Sequence, residues 1–389
     1  MLNSGSCRAV PGPEALPHEL VVCSLEHWTP VRRRIQLLLD ELLAMAPAMR
    51  VLYVEPALDV PHVLVRHQWR ELRRDHRPGV ERVTVVRPSK WLPRAIDPFV
   101  DLGLARRVQR AARRLGMLRP VLWVNDAHYA LLVRDSGWPS VYDVTDDWVR
   151  SSLTPRARRR LAQAEELLLQ RCDEVVVCSP DLAQSRGAQR QVELIPNGVD
   201  LAAFSSMRPR PADMPPAPVV LYVGTLHEDR LDVDLCVELA RSLFDAKVVF
   251  VGPNCLSARV TERLEAHANV EILGARPYDQ VPAYLQHADV LVVPHRVTEF
   301  TESLDPIKAY EYRAAGRPVV ATPVAGFRGL ASPVKLAEPA SFVVAVRAAL
   351  QEPYETPAGH WPVAGLEGAS WQNRAESFGF VLSRALQKA

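Results

Sequence analysis

Short runs of aliphatic and β-branched residues alternate with longer amphipathic segments along the whole sequence, and this alternation leaves few folds open. Leu20 to Ser24, Val51 to Pro56, Val80 to Val86, Val121 to Val124, Ser140 to Val144 and Glu174 to Ser179 read as strands. Between them the spacing predicts helices over Val31 to Met45, about Val63 to Arg74, about Val100 to Leu115, and Pro155 to Gln170. The pattern restarts after the proline-rich stretch Pro209 to Pro218, with strands at Val219 to Gly224, Lys247 to Gly252, Val270 to Leu273 and Asp289 to Pro294. Helices are expected near Asp234 to Phe244, Leu256 to His267, Val281 to His287, Phe342 to Leu350 and Trp371 to Gln387. Strands that are apolar throughout must be covered on both faces, which a parallel sheet between two helix layers provides. A chain of 389 residues exceeds one comfortable core. The expected fold class is therefore α/β: two doubly wound parallel sheets facing across a cleft. The expected boundaries are 1–203 with a loose leader over 1–18, then 204–370, then a last helix over 371–389.

Charge and cysteine usage narrow the function classes. Residues 1–200 hold 29 Lys/Arg against 24 Asp/Glu, and the remainder holds 18 against 21, so a chain of net charge +2 divides into a +5 half and a −3 half. The basic residues cluster at Arg66 to Arg77, Arg106 to Arg114 and Arg156 to Arg160. They read either as solvated helix faces or as contacts to an anionic membrane surface or an anionic lipid-linked acceptor. No aromatics interleave these runs, which argues against nucleic acid as a partner. Six cysteines without a CxxC spacing imply reduced thiols in a cytosolic protein, with no metal site. No run of eighteen apolar residues exists and no secretory signal is visible, so the expected location is cytoplasmic, at the inner face of a membrane if the basic runs bind lipid.

The stretch from Glu302 to Val320 reads as loop, helix, turn and buried strand. Asp305 suits the N-cap, Pro306 the first helical position and Gly316 the position past the helix end. Such a helix start offers free N–H groups and a positive dipole end to an anion. Lys308 and Glu311 are three apart and share a face. Only five of the 47 basic residues are lysine, and one stands here, where a compact charge suits a phosphate. A surface ion pair is the plainer alternative.

This stretch resembles the donor-site motif of nucleotide-sugar glycosyltransferases of the GT-B fold, in the broad group around family 4. Glu311 matches the second glutamate of that motif, and Ala-Ala-Gly-Arg-Pro-Val-Val after Tyr312-Arg313 continues the likeness. Ser303 stands eight residues earlier, where the group usually has its first glutamate, and the nearest acid is Glu302. The run Ile195-Pro196-Asn197-Gly198-Val199-Asp200 resembles the group's domain junction, and a final helix in the group crosses back onto the first domain. The resemblance implies two Rossmann-like domains, the first binding the acceptor and the second the nucleotide-sugar, and a hexosyltransferase-type activity. It assigns ribose to Glu311, and the donor phosphates to Gly224, Thr225, Arg230 and Lys308. Ser303, Asp305, Pro306 and Ile307 form the surrounding loop. No metal and no cofactor beyond the donor are expected, because helix dipole and basic side chains offset the charge on the leaving diphosphate.

On the acceptor side a general base must take a hydroxyl proton. Asp143, Asp146 and Asp147 crowd the end of one strand, with Asp146 or Asp147 the leading candidates, Asp143 the more structural, and His128 the alternative. Thr145 stands where retaining relatives often carry a histidine, so both inverting and retaining chemistry remain open. Arg33, in the run Arg32 to Arg34, is the candidate contact to an acceptor or donor phosphate. A sugar-nucleotide epimerase and a non-catalytic nucleotide-binding relative are the competing readings.

Overall fold

The structure, a computed structural model, describes residues 16–65, 80–94, 96–97, 99–216, 218–330, 333–352 and 366–388. Its first sheet contains β1 (Glu19–Cys23), β2 (Arg50–Val54), β3 (Val83–Val86), β4 (Val121–Val124), β5 (Ser140–Val144), β6 (Glu174–Val177) and β7 (Glu193–Leu194). They lie in the order β3-β2-β1-β4-β5-β6-β7, all parallel. In β1 Leu20 pairs with Val51 on one side and Val121 on the other, and Leu20 to Cys23 are buried. The second sheet contains β8 (Val219–Val223), β9 (Lys247–Val251), β10 (Val270–Gly274), β11 (Val290–Val293), β12 (Val319–Ala321) and β13 (Val334–Leu336). Its order, β10-β9-β8-β11-β12-β13, repeats that of the first. The expected α/β fold is thus present. Each sheet reverses strand order beside its first strand, and open parallel sheets bind ligands just outside the carboxyl ends of their strands at such a point.

Differences from the expected elements fall mainly at helix starts. The helix α1 (Arg34–Met45) buries Ile35, Leu38, Leu39 and Leu42 as expected but begins at Arg34 rather than Val31. Arg33 is extended, with φ −136 and ψ −177, so the first arginines of the run belong to an approach loop at the sheet's carboxyl edge. The next helix is seen as α2 (Val60–Val65); its expected continuation to Arg74, the Arg66 to Arg77 cluster, and most of the loose leader lie outside the described residues. Two short strands, Leu58–Asp59 and Ser89–Lys90, pair in parallel, and α3 (Val100–Arg114) follows. Helices at Ala130–Ser136 and Pro180–Gly187, α4 (Glu299–Glu302) and strand β13 were not anticipated, being too short for a periodic signal.

The helix α5 (Ile307–Ala315) ends on Gly316 in the left-handed conformation, as expected, but Pro306, not Asp305, sits at its N-cap position. Asp305 is used elsewhere: its Oδ2 accepts from the Asn197 backbone N–H at 2.5 Å and its Oδ1 from the Tyr310 hydroxyl at 2.9 Å. It ties the donor helix to the junction between the sheets instead of capping. The last helix, α6 (Trp371–Lys388), leaves the second domain and packs on the first. Phe378 meets Trp123 of β4 with ring centroids 4.3 Å apart, and Arg384 bonds Glu174 and Glu193 at 3.0 Å each.

Candidate active site

A cleft of about 260 Å³ lies where the carboxyl edges of the two sheets face each other. Its first-domain wall includes Glu26, Arg32 to Arg34, Asn125, Thr145 and Asp146, and its second-domain wall includes Gly224, Thr225, Arg230, His295, Lys308 and Glu311. Among the described residues no helix is long and apolar enough to cross a membrane, and no cluster of three or more potential metal ligands is found.

The donor side is built on strand ends and the start of α5. Lys308 is half-buried, with its Nζ 3.9 Å from the centroid of the Tyr222 ring and 3.5 Å from His295 Nε2. Burial and the nearby Arg230 push its pKa well below the ordinary lysine value, while Glu311 acts in the opposite direction. Burial lifts the Glu311 carboxyl to about 7 against the pull of Lys308 and a hydrogen bond from Tyr278. Burial, Lys308 and Arg230 push the His295 pKa well below the ordinary histidine value, and its Nε2 lies in hydrogen-bond contact with the Tyr222 hydroxyl at 3.1 Å. Lys308, Arg230 and Glu311 thus set two basic groups and a carboxyl in one wall of the cleft, with no tight ion pair between them among the described residues. Gly224, at φ +146, makes the approach possible: a Cβ there would lie 2.7 Å from Lys308 Nζ. Gly252, at φ +145, passes so close that its Cβ would lie 2.1 Å from the Gly224 carbonyl oxygen. Arg230 lies over the Phe300 ring at 5.7 Å and lines the same wall. Thr225 reaches across: its Oγ1 accepts from Arg33 Nη2 at 3.1 Å. Asp305, Pro306 and Ile307 also line the cleft.

Ser303 is not part of that wall. Its Oγ donates to the Phe300 carbonyl at 2.7 Å and accepts from the Asp147 backbone N–H at 3.2 Å, in the packed seam between domains. Glu302 is turned outward to pair with Arg328. The first acidic position of the motif therefore has no counterpart in the cleft from either residue.

On the acceptor side only one of the three aspartates faces the cleft. Asp146 does, and burial raises its pKa despite Arg230 and the Thr145 hydroxyl. Asp143 is fully buried and receives the guanidinium of Arg34 at 3.2 and 3.3 Å and the Trp123 indole at 3.3 Å. Asp147 corrects the expectation more sharply. It points away from the cleft to Arg186 at 2.7 Å and Arg150 at 3.1 Å, because the chain turns after Asp146 into a short 3-10 segment over Trp148–Arg150. His128 likewise lies outside the main cleft. Its ring bonds Asp126 at 2.7 Å, and it lines an adjoining cavity with Trp148 and Leu161 that shares Asn125 and Asp146 with the cleft. Glu26, His295 and Arg34 were missed in the sequence. Glu26 is a second cleft carboxyl, raised to about 7 by burial and by Asp146 and Asp143 against Arg33. It follows β1 without any local motif. Arg34 is indistinguishable from its two neighbours in the sequence, yet of the three it ties Asp143 of β5 to the Pro196 carbonyl and Asn197 at the junction.

Two facing Rossmann-like domains with their strand ends lining one cleft define the GT-B fold. Residues 217–352 match the family model described as glycosyl transferases group 1. A protein of Bacillus subtilis (strain 168), provisionally named the teichuronic acid biosynthesis glycosyltransferase TuaH, is 28% identical over 222 residues, covering 52% of this chain and 55% of that one. The match therefore spans about half the length of this curated relative. Among solved structures, a trehalose-6-phosphate protein from E. coli bound with UDP-2-fluoro glucose superposes over 94% of this chain and 99% of its own, with TM-score 0.64 and 12% identity. The sucrose-phosphate synthase of Thermosynechococcus elongatus covers 95% and 97%, with TM-score 0.60 and 18% identity. Anabaena HepE in complex with UDP and glucose covers 96% and 98%, with TM-score 0.59 and 14% identity. The chain has the GT-B fold, and its second domain carries the group 1 glycosyl transferase match.

Proposed function

We propose that the protein moves a sugar from a nucleotide diphosphate donor to a hydroxyl of an acceptor. The observation that carries this is the meeting of Lys308, Glu311, Arg230 and Gly224 from one domain with Arg33 and Asp146 from the other in a single cleft. Lys308 and Arg230, with the N-terminus of α5, take the diphosphate, and Glu311 accepts from the ribose hydroxyls. As the bond to the anomeric carbon breaks, charge grows on the leaving diphosphate, and these fixed cations stabilise it without a metal. Asp146 takes the acceptor proton; burial makes its carboxylate a stronger base than an exposed one. Solved relatives that hold UDP or a UDP-sugar support a uridine donor. The basic first half and the relative named for teichuronic acid synthesis support an acceptor presented at the inner, anionic face of a membrane, with the protein bound there peripherally.

The test has two arms. Among UDP-, GDP- and dTDP-sugars, one class should raise the melting temperature, because a ligand of the native state stabilises it. Asp146→Asn should then cut transfer by about 10²–10⁴-fold while leaving nucleotide binding intact. Nucleotide binding with no transfer to any acceptor would favour a non-catalytic relative. Conversion of the donor sugar without an acceptor would favour an epimerase.

A further inference from the structure

We propose that the edge of the first domain formed by α2, the described residues 91–94, 96–97 and 99, and α3 is a docking face for an anionic lipid bilayer. This rests on the reading of a glycosyltransferase with a membrane-presented acceptor. Fourteen large hydrophobic residues are substantially exposed among the described residues, and six gather here: Leu64, Val65, Trp91, Leu92, Ile96 and Phe99. Val65, Ile96 and Phe99 are 68–78% exposed, and Trp91 is 64% exposed. A soluble surface seldom gathers side chains of this size without an apolar partner.

The backbone brings them together. Leu58–Asp59 pairs in parallel with Ser89–Lys90, so α2 and the segment beginning at Trp91 leave that pairing side by side. A salt bridge of 2.8 Å between Lys90 and Asp59 fixes the pair. Arg94 bonds Asp101 at 2.7 Å, the Phe99 N–H bonds Asp97 at 2.8 Å, and Arg107 donates to the Ser89 carbonyl, so the segment is pinned to the start of α3. The apolar side chains are therefore held outward by a built frame.

Charge decides what covers them. The exposed residues of α3 include Arg106, Arg107, Arg110, Arg113 and Arg114, and the helix holds one acid, Asp101, which is taken by Arg94. An apolar, Trp-containing tip beside a row of guanidinium groups matches a bilayer whose acyl region meets anionic headgroups, Trp being at home at that boundary. A second copy of this chain would set one row of arginines against another if the faces met symmetrically. The face follows β2 and β3 at the carboxyl edge of the sheet whose β1, β4 and β5 ends line the cleft, so the docking face and the cleft share one edge of the first domain.

The experiment is vesicle flotation of the full chain at low salt, with vesicles of phosphatidylcholine alone or with one quarter phosphatidylglycerol. Wild type should float with the anionic vesicles and not with the neutral ones, and should be released at 0.5 M salt. Trp91→Ser with Phe99→Ser, and separately Arg110→Gln with Arg113→Gln and Arg114→Gln, should each lower the floated fraction at least tenfold. Neither variant should change nucleotide affinity by calorimetry, which also shows that it is folded. The proposal is overturned if wild type does not float, if it floats equally on neutral vesicles, or if both variants float like wild type. It is also overturned if sedimentation shows a dimer that Trp91→Ser with Phe99→Ser dissociates. Flotation without binding of any nucleotide-sugar would remove the glycosyltransferase reading and leave the docking face standing.

Discussion

At the scale of single residues, Glu311 and Lys308 are the informative pair, because burial holds both away from their ordinary titration ranges. The Glu311 carboxyl is raised from 4.5 to about 7. Between those values the folded protein keeps a proton that the unfolded chain has released, so this group's contribution to stability falls as pH rises through that window. Glu311→Gln should accordingly gain stability relative to wild type between pH 5 and 8 in urea titrations; a constant difference would show that the group titrates normally. Nucleotide binding should run the other way. Ribose hydroxyls need the carboxylate as acceptor, so affinity should strengthen from pH 6 to 8 in wild type and not in Glu311→Ala. That variant should lose about 1.5–3 kcal/mol of nucleotide binding at pH 8. Lys308 carries the opposite displacement, downward. A diphosphate favours its charged form, so binding on the alkaline side, below the ordinary lysine value, should take up protons. Calorimetry in buffers of different ionisation enthalpy should show that uptake in wild type and its loss in Lys308→Ala, together with weaker binding and slower turnover.

At the scale of elements, the donor site depends on two strand ends that carry no side chain. Gly224 closes β8, Gly252 closes β9, and each stands at positive φ against the other's backbone or against Lys308. Gly224→Ala should cost about 1–3 kcal/mol of stability from its conformation. It should also weaken nucleotide binding as much as Lys308→Ala does, because the new methyl must move the ammonium. Normal nucleotide affinity in a destabilised Gly224→Ala would separate the two effects. These elements also show why the sequence was readable where it was. The strands are apolar runs between turn signals, and α5 announces itself through Pro306 and Gly316, so the fold and most of the donor wall were legible. Helix starts were not: the apolar spacing runs on to Val31, three residues before α1 begins, while Arg33 is extended. Asp146 and Asp147 could not be told apart, since which of two successive acids faces a cleft is decided by the turn that follows them. Glu26 and His295 are isolated in sequence, and only tertiary packing brings them to the cleft.

At the scale of the whole molecule, the cleft exists only because two separately wound sheets are held face to face. Arg34 joins Asp143 to the junction at Pro196 and Asn197, the Asn197 N–H donates to Asp305 while its carbonyl accepts from Arg374, and Trp148 meets Phe300 with ring centroids 5.4 Å apart. The helix α6 adds a different kind of tie, since its sequence follows the second domain while Phe378, Val381 and Leu382 pack with the core of the first. Phe378→Ala removes a fully buried ring against Trp123 and should cost about 3–5 kcal/mol. The loss should fall on the first domain. Nucleotide contacts lie in the second, so UDP should still bind the variant, and a ligand stabilises only the unit that holds it. Calorimetric scans of Phe378→Ala should therefore show an early transition that UDP does not move and a later one that UDP raises, while transfer to acceptor is lost at temperatures between them. A single transition that UDP shifts as a whole, in the variant as in wild type, would mean that the ties at the junction make both domains one cooperative unit.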